Sequence, residues 1–96
     1  MDLVTARGTE IGDIKGIVQK HVDRKQFVLI QRGGFLGFGS KKVAVPLENI
    51  AVGQNNTIML HDLEVAQLDV IPEFKNEDNT YWELDGSQTV SLVRQR

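Results

Sequence analysis

Apolar and polar residues alternate along most of this chain. From Ile11 to Val22, the residues Ile14, Gly16, Val18, Lys20 and Val22 fall at period two, with Ile17 adding apolar character to the other face. Such alternation predicts a half-buried strand. Gly12 and Gly16 let it bend or bulge. Asp23-Arg24-Lys25 is a polar turn, and Phe27-Val28-Leu29-Ile30 is a continuous apolar strand. The connection is too short for a crossover, so the two strands form an antiparallel hairpin. Lys42 to Val45 is the next strand, with Val43, Val45 and Leu47 on one face. Pro46 cannot donate a ladder hydrogen bond and ends it or marks an edge. Gly53-Gln54-Asn55-Asn56 predicts a turn and Thr57 to Leu60 a further strand. The pattern predicts one short helix over Leu63 to Leu68, capped by Asp62 and prevented by Pro72 from continuing. The predicted core contains Val18, Leu29, Val43, Val45 and Ile58.

Past Phe74 the pattern changes. Lys75-Asn76-Glu77-Asp78-Asn79 contains no apolar residue and reads as a linker. Tyr81 to Leu84 and Thr89 to Val93 then flank Asp85-Gly86, a short hairpin signal. Trp82 and Leu84 fall on one face, and Val90 and Leu92 answer them across the hairpin, so that the four form one apolar face. A lone hairpin cannot keep such a face dry. It needs a partner surface, and a neighbouring subunit is the expected one.

Composition narrows the classes. Apolar residues at 41% and charged residues at 25% are ordinary for a globular domain, which argues against disorder. Ninety-six residues have room for one core and little more. A net charge of −2 disfavours sequence-independent binding to phosphate backbones. The absence of cysteine removes disulfides, thiol nucleophiles and cysteine zinc sites together, and fits a cytoplasmic location. The start, Met1-Asp2-Leu3-Val4, carries no signal-peptide pattern, and no apolar run is long enough to predict a spanning helix.

Between the second and third strands of this pattern lies Arg32-Gly33-Gly34-Phe35-Leu36-Gly37-Phe38-Gly39-Ser40-Lys41-Lys42. It superficially suggests a phosphate loop. A P-loop requires lysine and then Ser/Thr after its last glycine, whereas here Gly39 is followed by Ser40 and Lys41. A dinucleotide fingerprint starting at Gly37 fails at Lys42, and a strand rather than a helix follows. The glycines therefore permit a tight turn, and no bound cofactor is expected. Two roles stay open for Phe35, Leu36 and Phe38. All three plug the interior, or at least one is exposed and meets a partner.

The remaining candidate chemistry is sparse. His21 and His61 are the two histidines, and a zinc site needs three or four ligands, so no metal site is expected. A strand would point His61 and Asp62 to opposite sides. Ser40, Ser87 and Ser91 lack a nucleophile motif. Glu73, Glu77, Asp78 and Glu83 flank the linker and read as solvated. Arg24-Lys25, Lys41-Lys42 and Arg94 with Arg96 form three small basic clusters. They would make an anion-binding face only if folding brought two together.

Four segments together resemble the PRC-barrel domain family. They are Gly8 to Ile14, the strand Phe27 to Gln31, the run Gly33 to Leu47 with its glycines and Val43-Ala44-Val45-Pro46, and a short helix closing at Ile71-Pro72-Glu73-Phe74. The third segment is the specific one. The resemblance covers roughly residues 1–74 and leaves 75–96 as a linker and hairpin extension. It implies a mostly β fold, a small antiparallel PRC-type β-barrel with one short helix, joined here by a C-terminal β-hairpin. It also implies a docking module without a known catalytic centre.

The expected function is a non-enzymatic protein-interaction or adaptor module, self-associating as a homodimer. Its interface candidates are Phe35, Leu36, Phe38, Trp82, Leu84, Val90 and Leu92. The alternative is an RNA- or ribosome-associated maturation or assembly factor, suggested by the family's ribosome maturation factor relatives. A small-ligand or enzymatic role at the barrel mouth is a third possibility. Any membrane contact is expected to run through a partner.

Overall fold

The computed structural model describes residues 1–33 and 39–84. Its strands are β1 (Asp2–Val4), β2 (Glu10–Lys20), β3 (Gln26–Arg32), β4 (Lys41–Pro46), β5 (Ile50–Val52), β6 (Ile58–Leu60) and β7 (Tyr81–Leu84). The one α-helix among the described residues is α1, Val65–Leu68. One 3-10 turn, Leu47–Asn49, and a tight turn over Gln54–Asn56, with Asn55 and Asn56 at φ of 59° and 60°, connect the short strands. One sheet holds all seven strands in the order β4-β3-β2-β1-β6-β5, with β7 added on β2. The mostly β architecture with one short helix is thus as expected. The ladder is not closed among the described residues: β4 and β5 stand at its two ends. One pairing also departs from the antiparallel expectation, because β1 runs parallel to β6.

The long strand β2 organises the sheet. Along one edge it pairs with β3 from Asp13 to Gln19. The other edge is shared end to end. β1 takes Glu10 to Asp13, and β7 takes Ile17 to Lys20. Between these partners the register slips by one residue, so that Ile14 opposes Ile30 and Gly16 opposes Leu29. A bulge inserts one unpaired residue and reverses the facing of everything beyond it. This corrects the simple period-two pattern. Ile17 joins Ile14 on the face of Val28 and Ile30, whereas Val18 takes the opposite face with Phe27 and Leu29.

The main core lies on the Ile17 face. Leu3, Ile17, Val28, Ile30, Val43, Val45, Ile50 and Leu68 pack there with almost no exposure. All five predicted core residues are buried. Val18 and Leu29, however, stand outside the main cluster. On their side of the sheet runs a row of rings. The Phe74 ring meets Tyr81 at 5.1 Å, and Tyr81 meets Phe27 at 6.0 Å, both edge-on. The Phe74 N–H donates to the Lys42 carbonyl at 2.7 Å, which ties the returning chain to β4.

The helix start differs from expectation. Asp62 adopts φ 54° and turns the chain between β6 and α1. Glu64 caps α1 instead. Its side chain accepts the Gln67 N–H, and the Gln67 Oε1 accepts the Glu64 N–H at 2.7 Å. Such a reciprocal box pairs a side-chain acceptor at the cap with Glu or Gln three residues on; Glu64 and Gln67 hold that spacing, whereas Val65 stands three residues after Asp62. A four-residue helix has little stability of its own, and fully buried Leu68 docks it on the core.

Candidate interaction surface

β7 brings Trp82 to the end of the sheet near the β2–β3 turn. Trp82 pairs with Gln19 and remains 48% exposed. Its ring meets His21 edge-on, with centroids 4.1 Å apart. The His21 N–H donates to the Thr80 carbonyl at 3.0 Å, which extends the β2–β7 pairing into the turn. Next to His21, Val22 is 89% exposed. This end of the sheet thus exposes two large apolar side chains, Trp82 against the His21 ring and Val22 next to His21 in the chain. The sequence pattern placed Val22 inside a strand. Its exposure follows from the turn beginning one residue earlier, at His21.

Leu84 has a different role, although it shares a strand face with Trp82. It stands opposite Ile17 and packs against the main core. Position along β2 separates the two: Leu84 lies inboard, and Trp82 lies near the strand's end. Tyr81 to Leu84 are therefore docked on β2 of their own chain, which corrects the expected docking on a neighbouring subunit for this strand. The reason is the edge of β2 that β1 leaves open. Of the other interface candidates, Phe35, Leu36, Phe38, Val90 and Leu92 lie outside the described residues.

The flanks of the glycine-rich segment are described. Gly33 and Gly39 have φ of 70° and 74°, a region that favours glycine. A Cβ on Gly33 would lie 3.6 Å from the Gly39 carbonyl oxygen, so the two ends meet closely. Arg32 pairs with Lys41 in the antiparallel β3–β4 ladder. The segment thus links two strands of a hairpin, whereas phosphate loops of both considered types open a helix.

The linker is more ordered than its polarity suggests. The Asn76 side chain bridges both polar groups of Tyr81, donating to its carbonyl at 3.0 Å and accepting from its N–H at 3.1 Å. The Thr80 hydroxyl donates to the Asp78 carboxylate. That hydrogen bond holds the Asp78 carboxyl below its ordinary range. Lys15 does the same for Asp13, by hydrogen bond and by charge. Glu73, Glu77, Asp78 and Glu83 are all exposed.

The two basic clusters within the described residues do not merge. Arg24-Lys25 precedes β3 and Lys41-Lys42 follows its turn, so β3's seven residues separate them by roughly 20 Å. Lys41 is also spent internally. Its ammonium donates to the Asp69 carbonyl at 3.1 Å and the Ile71 carbonyl at 2.7 Å, just past α1. Arg32 reaches the Asp69 carboxylate at 3.1 Å and the Ile11 carbonyl at 3.2 Å. Arg94 and Arg96 lie outside the described residues. Lys41→Met should leave two carbonyls without their charged donor and lower stability by about 1–2 kcal/mol. Urea denaturation would read this directly, and an unchanged midpoint would mean that Lys41 is not a structural clamp.

The histidine expectation needs one change. Because Asp62 is left-handed, its carboxylate swings beside His61, 3.3 Å from Nε2. Among the described residues, no three His, Asp or Glu side chains gather as a metal site would require. In the open hollow between the Thr5–Ala6 turn and α1, Glu64 and Gln67 are engaged with each other in the capping box. Among the described residues, no helix is long and apolar enough to cross a membrane.

Among the described residues, a seven-stranded, mostly antiparallel sheet carrying one docked helical turn defines a small β module. Residues 1–67 match the model of the PRC-barrel domain, and the chain belongs to that family. No curated protein matches the chain. β7, with Tyr81 and Trp82, and the Phe74 ring that meets Tyr81 fall beyond the matched residues.

Proposed function

We propose that the protein is a non-enzymatic interaction module that self-associates, with the Trp82 patch as part of its contact surface. The observation that carries this is a half-exposed tryptophan in ring contact with His21, whose chain neighbour Val22 is almost fully exposed. Trp is among the residues most enriched at interface hot spots, and its large rigid ring loses little entropy on contact. The alternative of RNA or ribosome association draws less support. The two basic clusters within the described residues lie at opposite ends of β3, and Lys41 is engaged within the fold.

Light scattering is expected to give a mass near twice 10.8 kDa at high micromolar concentration. Trp82→Glu should weaken the association at least tenfold, the effect of losing about 1.4 kcal/mol or more. The fold should survive, because the ring is half in solvent. A wild-type monomer up to millimolar concentration would refute self-association.

A further inference from the structure

We propose that β7 is a displaceable strap over a strand-accepting edge of β2, and that the partner displacing it is an extended segment bearing an aromatic, an acid and a leucine in β7's order. This deepens the interaction-module proposal and rests on it.

β7 is the least buried strand of the described sheet, each of the other six holding at least one buried residue. Among the described residues it pairs with β2 alone, and none of its four residues is fully buried. It lies beyond the part of the chain that matches the family. Elements with few buried contacts open at low free energy without global unfolding. Its departure would bare the backbone edge of Ile17 to Lys20, and an unpaired edge is a template for an added strand.

The same register specifies what fits. Tyr81 and Glu83 share the face of Lys20 and Val18. Tyr81 joins the rings of Phe27 and Phe74. Glu83 is exposed and lines a hollow with Lys15, Gly16 and Leu29; its register position, opposite Val18, falls between those of Lys15, whose ammonium lies 3.2 Å from Asp13, and Lys20. Leu84 packs toward the core opposite Ile17. A competing strand gains the same contacts by offering an aromatic, a free position, an acid and a leucine.

The test uses the full chain and a fluorescently labelled peptide with the sequence of residues 79–84. Gln19 and Trp82 are direct ladder partners, and the chain has no other thiol to interfere. Paired antiparallel Cα atoms lie about 4.5–5.5 Å apart, within the roughly 4.4–6.8 Å a disulfide spans. In the double variant Gln19→Cys/Trp82→Cys, oxidation should lock the strap and weaken peptide binding at least tenfold relative to the reduced form. The peptide with lysine at the Glu83 position should bind less tightly than the native one. In the wild type, the amides of Tyr81 to Leu84 should exchange at least tenfold faster than those of Val28 to Ile30. Equal peptide binding by oxidised and reduced variants, no binding by the wild type, or equal protection of β7 and β3 would each overturn the strap. A dimeric mass without peptide binding would sink the strap and leave self-association standing.

Discussion

Val45→Asp is expected to remove most of the domain's stability. Val45 is fully buried, pairs with fully buried Val28, and belongs to the cluster joining β2, β3, β4 and α1. An aspartate there would be an uncompensated buried charge. Such a change costs on the order of 3–5 kcal/mol, against a total of about 5–15 kcal/mol for an ordinary domain. For a chain of this length the melting temperature should fall by roughly 15 °C or more. Val45→Thr keeps the shape and adds one hydroxyl, so its cost should be smaller, about 1–3 kcal/mol. Thermal and urea denaturation of both variants would rank them. An Asp variant as stable as the Thr variant would show that Val45 reaches solvent.

The position of Val45 was legible in the sequence because β4 is short, regular and ended by proline. β2 was harder. Its alternation is real, yet a bulge near Lys15 breaks it in the middle, and nothing in the apolar pattern distinguishes Ile17 from Val18 as the core-facing residue. The distinction comes from pairing with β3, a contact between strands. β1 and β5 were too short to show a period, at three residues each. The apolar pattern locates the helix but not its cap: Asp62 is a good capping type, and only the Glu64–Gln67 reciprocity identifies the true start.

The candidate surface was legible in part. Trp82 and Leu84 were correctly assigned to one strand face, but sequence periodicity carries no information on where that strand docks. The open half of the β2 edge decides it, and that opening exists because β1 is short. Lys41 illustrates the same limit. In sequence it is half of a basic pair, while in the fold its reach to two carbonyls past α1 depends on the β3–β4 hairpin lying against the helix end. Val22 was missed because a valine beside a strand reads as more strand.

Gly12→Ala should be the most damaging single-methyl change in the chain's described part. Gly12 is buried in β2, where β1 lies on one side and β3 on the other. A Cβ at this position would meet the Gln31 carbonyl oxygen at 2.6 Å, the Ile30 Cγ2 at 2.7 Å and the Arg32 Cγ at 3.1 Å. The first is backbone of the neighbouring strand and cannot withdraw without disturbing the ladder. The second belongs to a fully buried side chain. Overpacking of this kind costs about 1–3 kcal/mol, more than the few tenths to 1 kcal/mol that replacing glycine gains by restricting the unfolded chain. Gly53→Ala is the matched control. Its Cβ would also come within 2.7 Å of another atom, but that atom is the terminal methyl of Met59, the end of a flexible side chain. Gly53→Ala should therefore shift the urea midpoint little, and Gly12→Ala should lower it clearly, with an unchanged slope. Equal midpoints for the two variants would mean that β2 and β3 can separate at Gly12 at no cost, and that the close approach of these strands does not hold the sheet together.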